Sequence, residues 1–289
     1  MRKISRRTFM KLGGSSMVAA AMPLFSLSSR LGIDSYQLGV ERVTVRSARI
    51  PAELNGFSIG QLSDLHRGRD ISVAYIEKAV RMLQALSPDL IALTGDYVYG
   101  AGMGLSAMQA LRELSAPQGV FAILGNHDYW EPNEPRSEPE IVRAMREVFA
   151  GKPFQLLRNS HTRLTIGDTP LHMVGMEDAM RRQADLKGAL RGLAANQPAI
   201  LLAHEPDVAD QAASLYPLAL QLSGHSHGGQ VRLPGIGPLV LPELGQRYPM
   251  GLRQVQGMNL YTTRGVGMTG LALRINCPPE ITLIQLQAA

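Results

Sequence analysis

From about Asp34 onward, apolar and polar positions follow two alternating periods. Val43-Thr44-Val45 reads as a strand, and residues 56–62 carry a second strand signal that runs into Asp64. Val73, Ile76, Val80, Leu83 and Leu86 recur at helical spacing, and Ser87-Pro88 closes that helix. Leu90-Ile91-Ala92-Leu93 is wholly apolar, as a parallel strand buried on both faces requires. These segments predict a β-α-β unit. The pattern recurs: a helical stretch near 105–114 precedes an apolar strand at 120–124, and another helix is expected near 140–149. Helical 186–194 precedes a strand at 199–203, and helical 208–215 precedes one at 218–222. From Gln230 on, strand signals are broken by Gly and Pro, with little helix. There is no internal repeat. Alternation followed by a strand-rich end predicts a layered α/β domain with a mixed sheet or a pair of packed sheets.

Composition narrows the chemistry. The chain has 289 residues and a single cysteine, Cys277, so an internal disulfide and a thiolate-rich metal cluster are both excluded. Any metal must be held by histidine, carboxylate or amide oxygen. The net charge of +5 suggests a polyanion partner until the charges are placed. Arg2, Lys3, Arg6, Arg7, Lys11 and Arg30 all fall in residues 1–33, which hold no acidic residue. Six fewer positive charges turn +5 into −1, so the body is near neutral and nucleic acid is not an expected partner.

Residues 1–33 read as an export signal rather than as part of a fold. A charged start leads into Ser5-Arg6-Arg7-Thr8-Phe9-Met10-Lys11, followed by a moderately apolar, Gly/Ser/Ala-rich run over 12–27. The paired arginines before Phe9 and Lys11 resemble a twin-arginine signal, which implies the twin-arginine machinery as a partner and export of a folded protein. The expected location is the periplasm, or the outer face of the membrane and cell wall. Left uncleaved, the segment would tether the protein at the membrane. Residues 34–289 form the expected catalytic domain.

Five polar clusters follow directly after apolar strands, where open α/β sheets present their ligand sites. They are Asp64-Leu65-His66, Gly95-Asp96, Gly125-Asn126-His127-Asp128, His204 and Gly224-His225-Ser226-His227. Five of the seven histidines lie in them, a gathering that scattered structural histidines would not produce. Two divalent cations need roughly eight to ten donors of these types. A bridging carboxylate would hold them about 3.5–4 Å apart, a spacing suited to in-line attack at phosphorus. Glycines 95, 125 and 224 are expected to let the backbone turn sharply between strand and ligand.

The ordered series D-x-H, G-D, G-N-H-D, H and G-H-x-H resembles the calcineurin-like metallophosphoesterases. The flanking His204-Glu205-Pro206-Asp207, Gly224-His225-Ser226-His227-Gly228-Gly229 and the tail Arg274-Ile275-Asn276-Cys277-Pro278-Pro279 resemble that family's exported bacterial subgroup. The resemblance implies a four-layer α/β fold, a two-sheet sandwich flanked by helices. It implies that Asp64, His66 and His227 bind one metal, that Asn126, His204 and His225 bind a second, and that Asp96 bridges. The metals would be manganese, iron, zinc or cobalt, with a metal-bound hydroxide as nucleophile. His127 would stabilise developing charge or protonate the leaving oxygen, oriented by Asp128. One departure is the run Asp96-Tyr97-Val98-Tyr99, where many members carry a further Asp or Asn.

Other residues receive plainer readings. His161 and His172 are expected to be structural, and Cys277 a small core residue. Arg67 and Arg69 either steer a phosphate or form a solvated pair. The loop from Tyr129-Trp130 to Pro139 is expected to border the substrate pocket or to anchor itself by a buried ring. The function implied is hydrolysis of a phosphodiester or pyrophosphate, with a lipid-linked substrate such as UDP-2,3-diacylglucosamine as one candidate. The alternatives are phosphomonoester or phosphoprotein hydrolysis on the same metal core, and a non-catalytic metal-binding scaffold at the envelope.

Overall fold

The computed structural model describes residues 33–129 and 139–289. The export-signal reading of residues 1–33, apart from Ile33, and the loop around Trp130 lie outside the described residues. Among the described residues no helix is long and apolar enough to cross a membrane.

The β-α-β unit forms where the periodicity places it. Strand β1 (Gly39–Ser47) leads to β2 (Ser58–Leu62), helix α1 (Val73–Gln84) and β3 (Leu90–Thr94). Ser72 begins α1, its side chain accepting the Tyr75 N–H at 3.2 Å, a cap worth about 1 kcal/mol. Helix α2 (Gly104–Leu111), β4 (Val120–Ile123), α3 (Glu140–Val148) and β5 (Phe154–Leu156) extend the same sheet. Strands β6 (Ser160–Ile166) and β7 (Thr169–Gly175) begin a second one. It continues through α4 (Leu186–Ala189), β8 (Ala199–Leu202), α5 (Ala209–Leu215) and β9 (Leu220–Ser223). The strand-rich end comprises a short ribbon of β10 (Arg232–Leu233) and β11 (Gly237–Pro238), then β12 (Gly251–Val255), β13 (Met258–Thr262) and β14 (Glu280–Ala288).

Two six-stranded mixed sheets result, ordered β1-β14-β2-β3-β4-β5 and β12-β13-β9-β8-β7-β6. Strand alternation sorts the side chains between layers. Leu90 and Ala92 of β3 face the core between the sheets, together with Phe121, Ile200, Leu202 and Leu222. Ile91 and Leu93 face outward under α1, α2 and α3. Val174, Leu201 and Leu260 pack outward around α4 and α5. The order is therefore helix, sheet, sheet, helix, as the resemblance implied. Truncating a side chain such as Leu202 to Ala would cost about 2–5 kcal/mol.

Two details differ from the sequence pattern. The helix expected at 186–194 spans only Leu186–Ala189, because Gly188 and Gly192 weaken it and Gly192 takes φ +86°. The last strand, β14, pairs parallel with β1 and antiparallel with β2, so the end of the chain separates the first two strands. Local periodicity carries no information about that insertion.

Candidate metal centre

Strands β2, β3 and β4 are neighbouring parallel strands of one sheet, and β8 and β9 of the other. Their C-terminal ends lie together, and every predicted site residue sits just beyond one of them. Gln61 locks the two sheet edges, its Nε2 donating to Thr94 Oγ1 at 2.9 Å and across to the Ser223 carbonyl at 3.1 Å. Asp64 and His66 follow β2, Asp96 follows β3, Asn126 follows β4, His204 follows β8, and His225 and His227 follow β9.

Packing around these residues is tight enough to explain the glycines. At Gly95 the backbone does turn, with φ +93°, as the sequence suggested. Gly125 and Gly224 serve a different purpose. A Cβ at Gly125 would stand 2.3 Å from Asp96 Oδ1, and one at Gly224 would stand 2.1 Å from Asp64 Oδ2. Their role is close approach to a ligand carboxylate. Asp64, His66, Asp96, His225 and His227 themselves adopt left-handed backbone, with φ between 46° and 70°. Non-glycine residues rarely take that conformation, and its cost is borne where side chains must be aimed.

The donor atoms converge in two groups. Asp64, His66 and His227 form one, and Asp96, His204 and His225 the other. His66 Nε2 and His227 Nε2 lie 2.9 Å apart, and His227 Nε2 lies 3.4 Å from Asp64 Oδ1. Two nitrogens bound at right angles to one cation at about 2.1 Å are roughly 3 Å apart, so the spacing fits a shared ion. Asp64 Oδ2 is buried without a hydrogen-bond partner, which a cation would supply. In the second group, His225 Nδ1 lies 3.1 Å from Asn126 Oδ1 while its Nε2 meets the Glu243 carbonyl at 2.8 Å. The carbonyl fixes the proton on Nε2 and leaves Nδ1 as the lone-pair donor. Asp96 Oδ2 faces His66 Nε2 at 3.5 Å and His204 Nε2 at 3.1 Å, and so belongs to both groups.

Electrostatics suit cation binding. Burial pushes His66 down to about 3 and also lowers His225 and His227, which keeps these imidazoles neutral at neutral pH. Burial raises Asp64 to about 6. Burial works against charge on Asp96, yet the facing His204 and then His66 hold it well below the carboxylate range. His204 is correspondingly raised by Asp96, against its own burial. A proton or a cation between His204 and Asp96 satisfies both.

His127 stands beside this centre. Its backbone N–H donates to Asp96 Oδ1 at 2.9 Å, and its ring lies edge-on to His66, centroids 4.8 Å apart, and stacked on Tyr99 at 5.3 Å. Its donor atoms also come within reach of those of His66 and Asp96. Asp128, expected to orient His127, braces the backbone of this centre. Its buried carboxylate accepts the backbone N–H groups of Asp96 at 2.8 Å, Tyr97 at 2.8 Å and Gly125 at 2.9 Å, tying the Asp96 loop to the Asn126 loop. Arg67 is half-buried and donates to the Gly68 and Ile71 carbonyls, whereas the Arg69 side chain is 93% exposed. His161 and His172 lie on β6 and β7, outside the cluster, and Cys277 is buried with its Sγ 3.2 Å from the His227 carbonyl.

Three supporting residues escaped sequence reasoning. Arg274 is fully buried, its guanidinium donating to the carbonyls of Arg264, Gly265, Gly267 and Cys277, with Nη2 3.2 Å from His227 Nδ1. Its charge helps keep His227 neutral. Arg181 donates from Nε to the Asn126 carbonyl at 3.1 Å. Glu205, next to His204, accepts the N–H groups of Ala179 and Met180 and so holds the segment that carries Arg181. The available signals were the acidic Glu205 beside a candidate ligand histidine and the tail that begins at Arg274.

With this geometry in view, the comparisons decide the family. The model for calcineurin-like phosphoesterases matches residues 57–229, which include every cluster described above. The chain belongs to that family. This phosphoesterase is 31% identical over 296 residues to the metallophosphoesterase YkuE of Bacillus subtilis, covering 100% of this chain and 99% of that one. It is 34% identical over 232 residues to the phosphodiesterase YaeI of Escherichia coli, covering 80% and 82%. It is 31% identical over 301 residues to the UDP-2,3-diacylglucosamine pyrophosphatase LpxG of Chlamydia trachomatis, covering 84% and 88%. The calcineurin-like phosphoesterase is thus a hydrolase of phosphoester bonds, of a family that uses divalent metals, and its His/Asp clusters can hold them.

Proposed function

We propose that this enzyme is a dinuclear phosphodiesterase or pyrophosphatase of the cell envelope. The observation that carries the reading is the single oxygen Asp96 Oδ2, faced by His66 on one side and His204 on the other. Asp64, His66 and His227 would hold one cation, Asn126, His204 and His225 the other, with Asp96 shared. Two cations there would supply Lewis acidity toward the phosphoryl oxygens and activate water. The chain's own groups do the rest. Asp128 keeps the two candidate ligand loops in register, and burial, with His66 and Arg274 adding to it, keeps His227 neutral. His127 stands at the edge of the cluster, where it can give a proton to the leaving oxygen.

The twin-arginine-type leader supports export and separates residues 1–33 from a catalytic domain at 34–289. The phosphodiesterase and pyrophosphatase names of the relatives favour a diester or pyrophosphate over a monoester. The diacylated substrate in the name of LpxG supports a lipid-linked substrate.

The test is hydrolysis of bis-p-nitrophenyl phosphate beside p-nitrophenyl phosphate by the metal-loaded protein. Diester cleavage is expected to exceed monoester cleavage, to vanish in Asp96→Ala and to fall about 10²–10⁴-fold in His127→Ala. Two bound cations with no diester turnover under any loading would reject the reading.

A further inference from the structure

Large apolar side chains gather on one edge of the molecule, beside the metal cluster. The ribbon that starts five residues after His227 exposes Leu233 and Ile236, the latter 72% exposed, and the segment after it exposes Leu239 and Val240, the latter 76% exposed. Leu271, 65% exposed, belongs to the same surface. Gln230 clasps the two segments together: its Nε2 donates to the Thr269 and Leu271 carbonyls, and its Oε1 accepts the Thr269 N–H. The other side of the 268–272 loop lines the cavity that reaches His66, with Tyr99 and Arg69 on the facing wall. One loop thus presents Leu271 outward and borders the metal cluster inward.

The chain also enters here. Ile275 bridges Val231 at the base of the ribbon and Ile33 at the start of the described chain, while Asp34 N–H donates to the Arg274 carbonyl at 3.0 Å. The described chain thus begins at this edge, and the residues before it in sequence carry the apolar run at 12–27. Exposed apolar side chains carried on segments joined in this way mark an interaction site. An apolar tip of this kind suits the boundary between headgroups and acyl chains, while Arg69 on the cavity wall pairs with Asp70 at 3.5 Å and brings little net charge.

We infer that the β10–β11 ribbon, the 239–240 segment and Leu271 form a docking surface for a lipid bilayer, which brings the mouth of the metal site to the headgroup layer. The inference deepens the proposed function and rests on it for the presence of a membrane. Leader and ribbon would act as two separate contacts on one edge, the first tethering the chain and the second setting its orientation.

The test uses the full chain, metal-loaded, with Val240→Cys or Leu215→Cys carrying an environment-sensitive fluorophore. Cys277 is buried and stays unlabelled. Leu215 is a control, partly exposed at the far end of α5, beside the start of β9. On adding vesicles of phosphatidylcholine and phosphatidylglycerol, the label at 240 should brighten several-fold, shift to the blue and be quenched by shallow nitroxide lipids. The label at 215 should stay unchanged, and Ile236→Glu with Leu271→Glu should abolish the response at 240. An unchanged label at 240 on protein that floats with the vesicles through its leader would overturn the inference. So would a label at 240 that responds to protein concentration without lipid, which would identify a second copy as the occupant. Hydrolysis of bis-p-nitrophenyl phosphate by the same samples reads the metal site alone, so loss of turnover and loss of docking are told apart.

Discussion

His204 Nδ1 lies 2.7 Å from the carbonyl oxygen of Thr94, while its Nε2 faces Asp96 Oδ2 at 3.1 Å. The carbonyl of one sheet fixes the ring tautomer of a histidine from the other. Nε2 is then the atom presented to a cation, and its aim depends on the two sheets keeping their register.

This arrangement separates the metal stoichiometry of two variants. Asp96→Ala removes an oxygen that both groups share and should retain well under one equivalent of metal after dialysis. His204→Ala removes a donor from one group and should retain about one equivalent, against about two for the unaltered protein. Elemental analysis of the dialysed proteins checks this. Equal metal content in the two variants would show that Asp96 does not bridge.

Arg274 gives a prediction about stability. Its guanidinium satisfies four backbone carbonyls in a fully buried position. Each carbonyl left unpaired costs about 1–3 kcal/mol, so Arg274→Met should lose several kcal/mol of unfolding free energy. Urea denaturation of the two proteins measures the difference. The fraction that remains folded should also bind metal more weakly, because the loops around His227 and Gly265 lose their common tie.

Asp178 predicts a pH dependence. It is buried beside Glu205, and burial first, then the Glu205 carboxylate, pushes it up to about 9. Between its ordinary value near 4 and about 9, the folded protein holds a proton that the unfolded chain releases. Stability should therefore decline as pH rises through that window. Glu205, held below its ordinary value by Asp178 and His204 against its own burial, contributes a change of opposite sign only at more acidic pH. Asp178→Asn keeps that side chain neutral at every pH and should flatten the decline, which melting temperatures from pH 6 to 9.5 would show.

Much of the fold was legible before the structure. The helical spacing of Val73, Ile76, Val80 and Leu83 is the buried face of α1, and the unbroken apolar run 90–93 is a strand covered on both sides. Strands β5, β6 and β7 were not read. Strands β5 and β6 are only partly buried and carry few apolar residues, and β7, though buried from Leu171 to Gly175, is interrupted in sequence by Pro170 and His172. The site residues were legible because metal chemistry restricts them to a few side-chain types, and because ligands follow strand ends. Their supports were not. Arg274, Arg181 and Glu205 are ordinary charged residues in sequence, and only their partners give them a role.

What the sequence determined by itself is most of the elements and the chemistry at their ends, since periodicity and residue type are local properties. Tertiary structure decided the rest. It placed β14 between β1 and β2, brought the ends of β2, β3 and β4 against those of β8 and β9, and forced five candidate ligand residues into left-handed backbone. It also turned the ribbon after His227 and the loop at Leu271 into one apolar edge beside the cavity. Each of these depends on pairing between residues distant in sequence, as far apart as Gly39 and Glu280, and short-range pattern carries no record of such pairing.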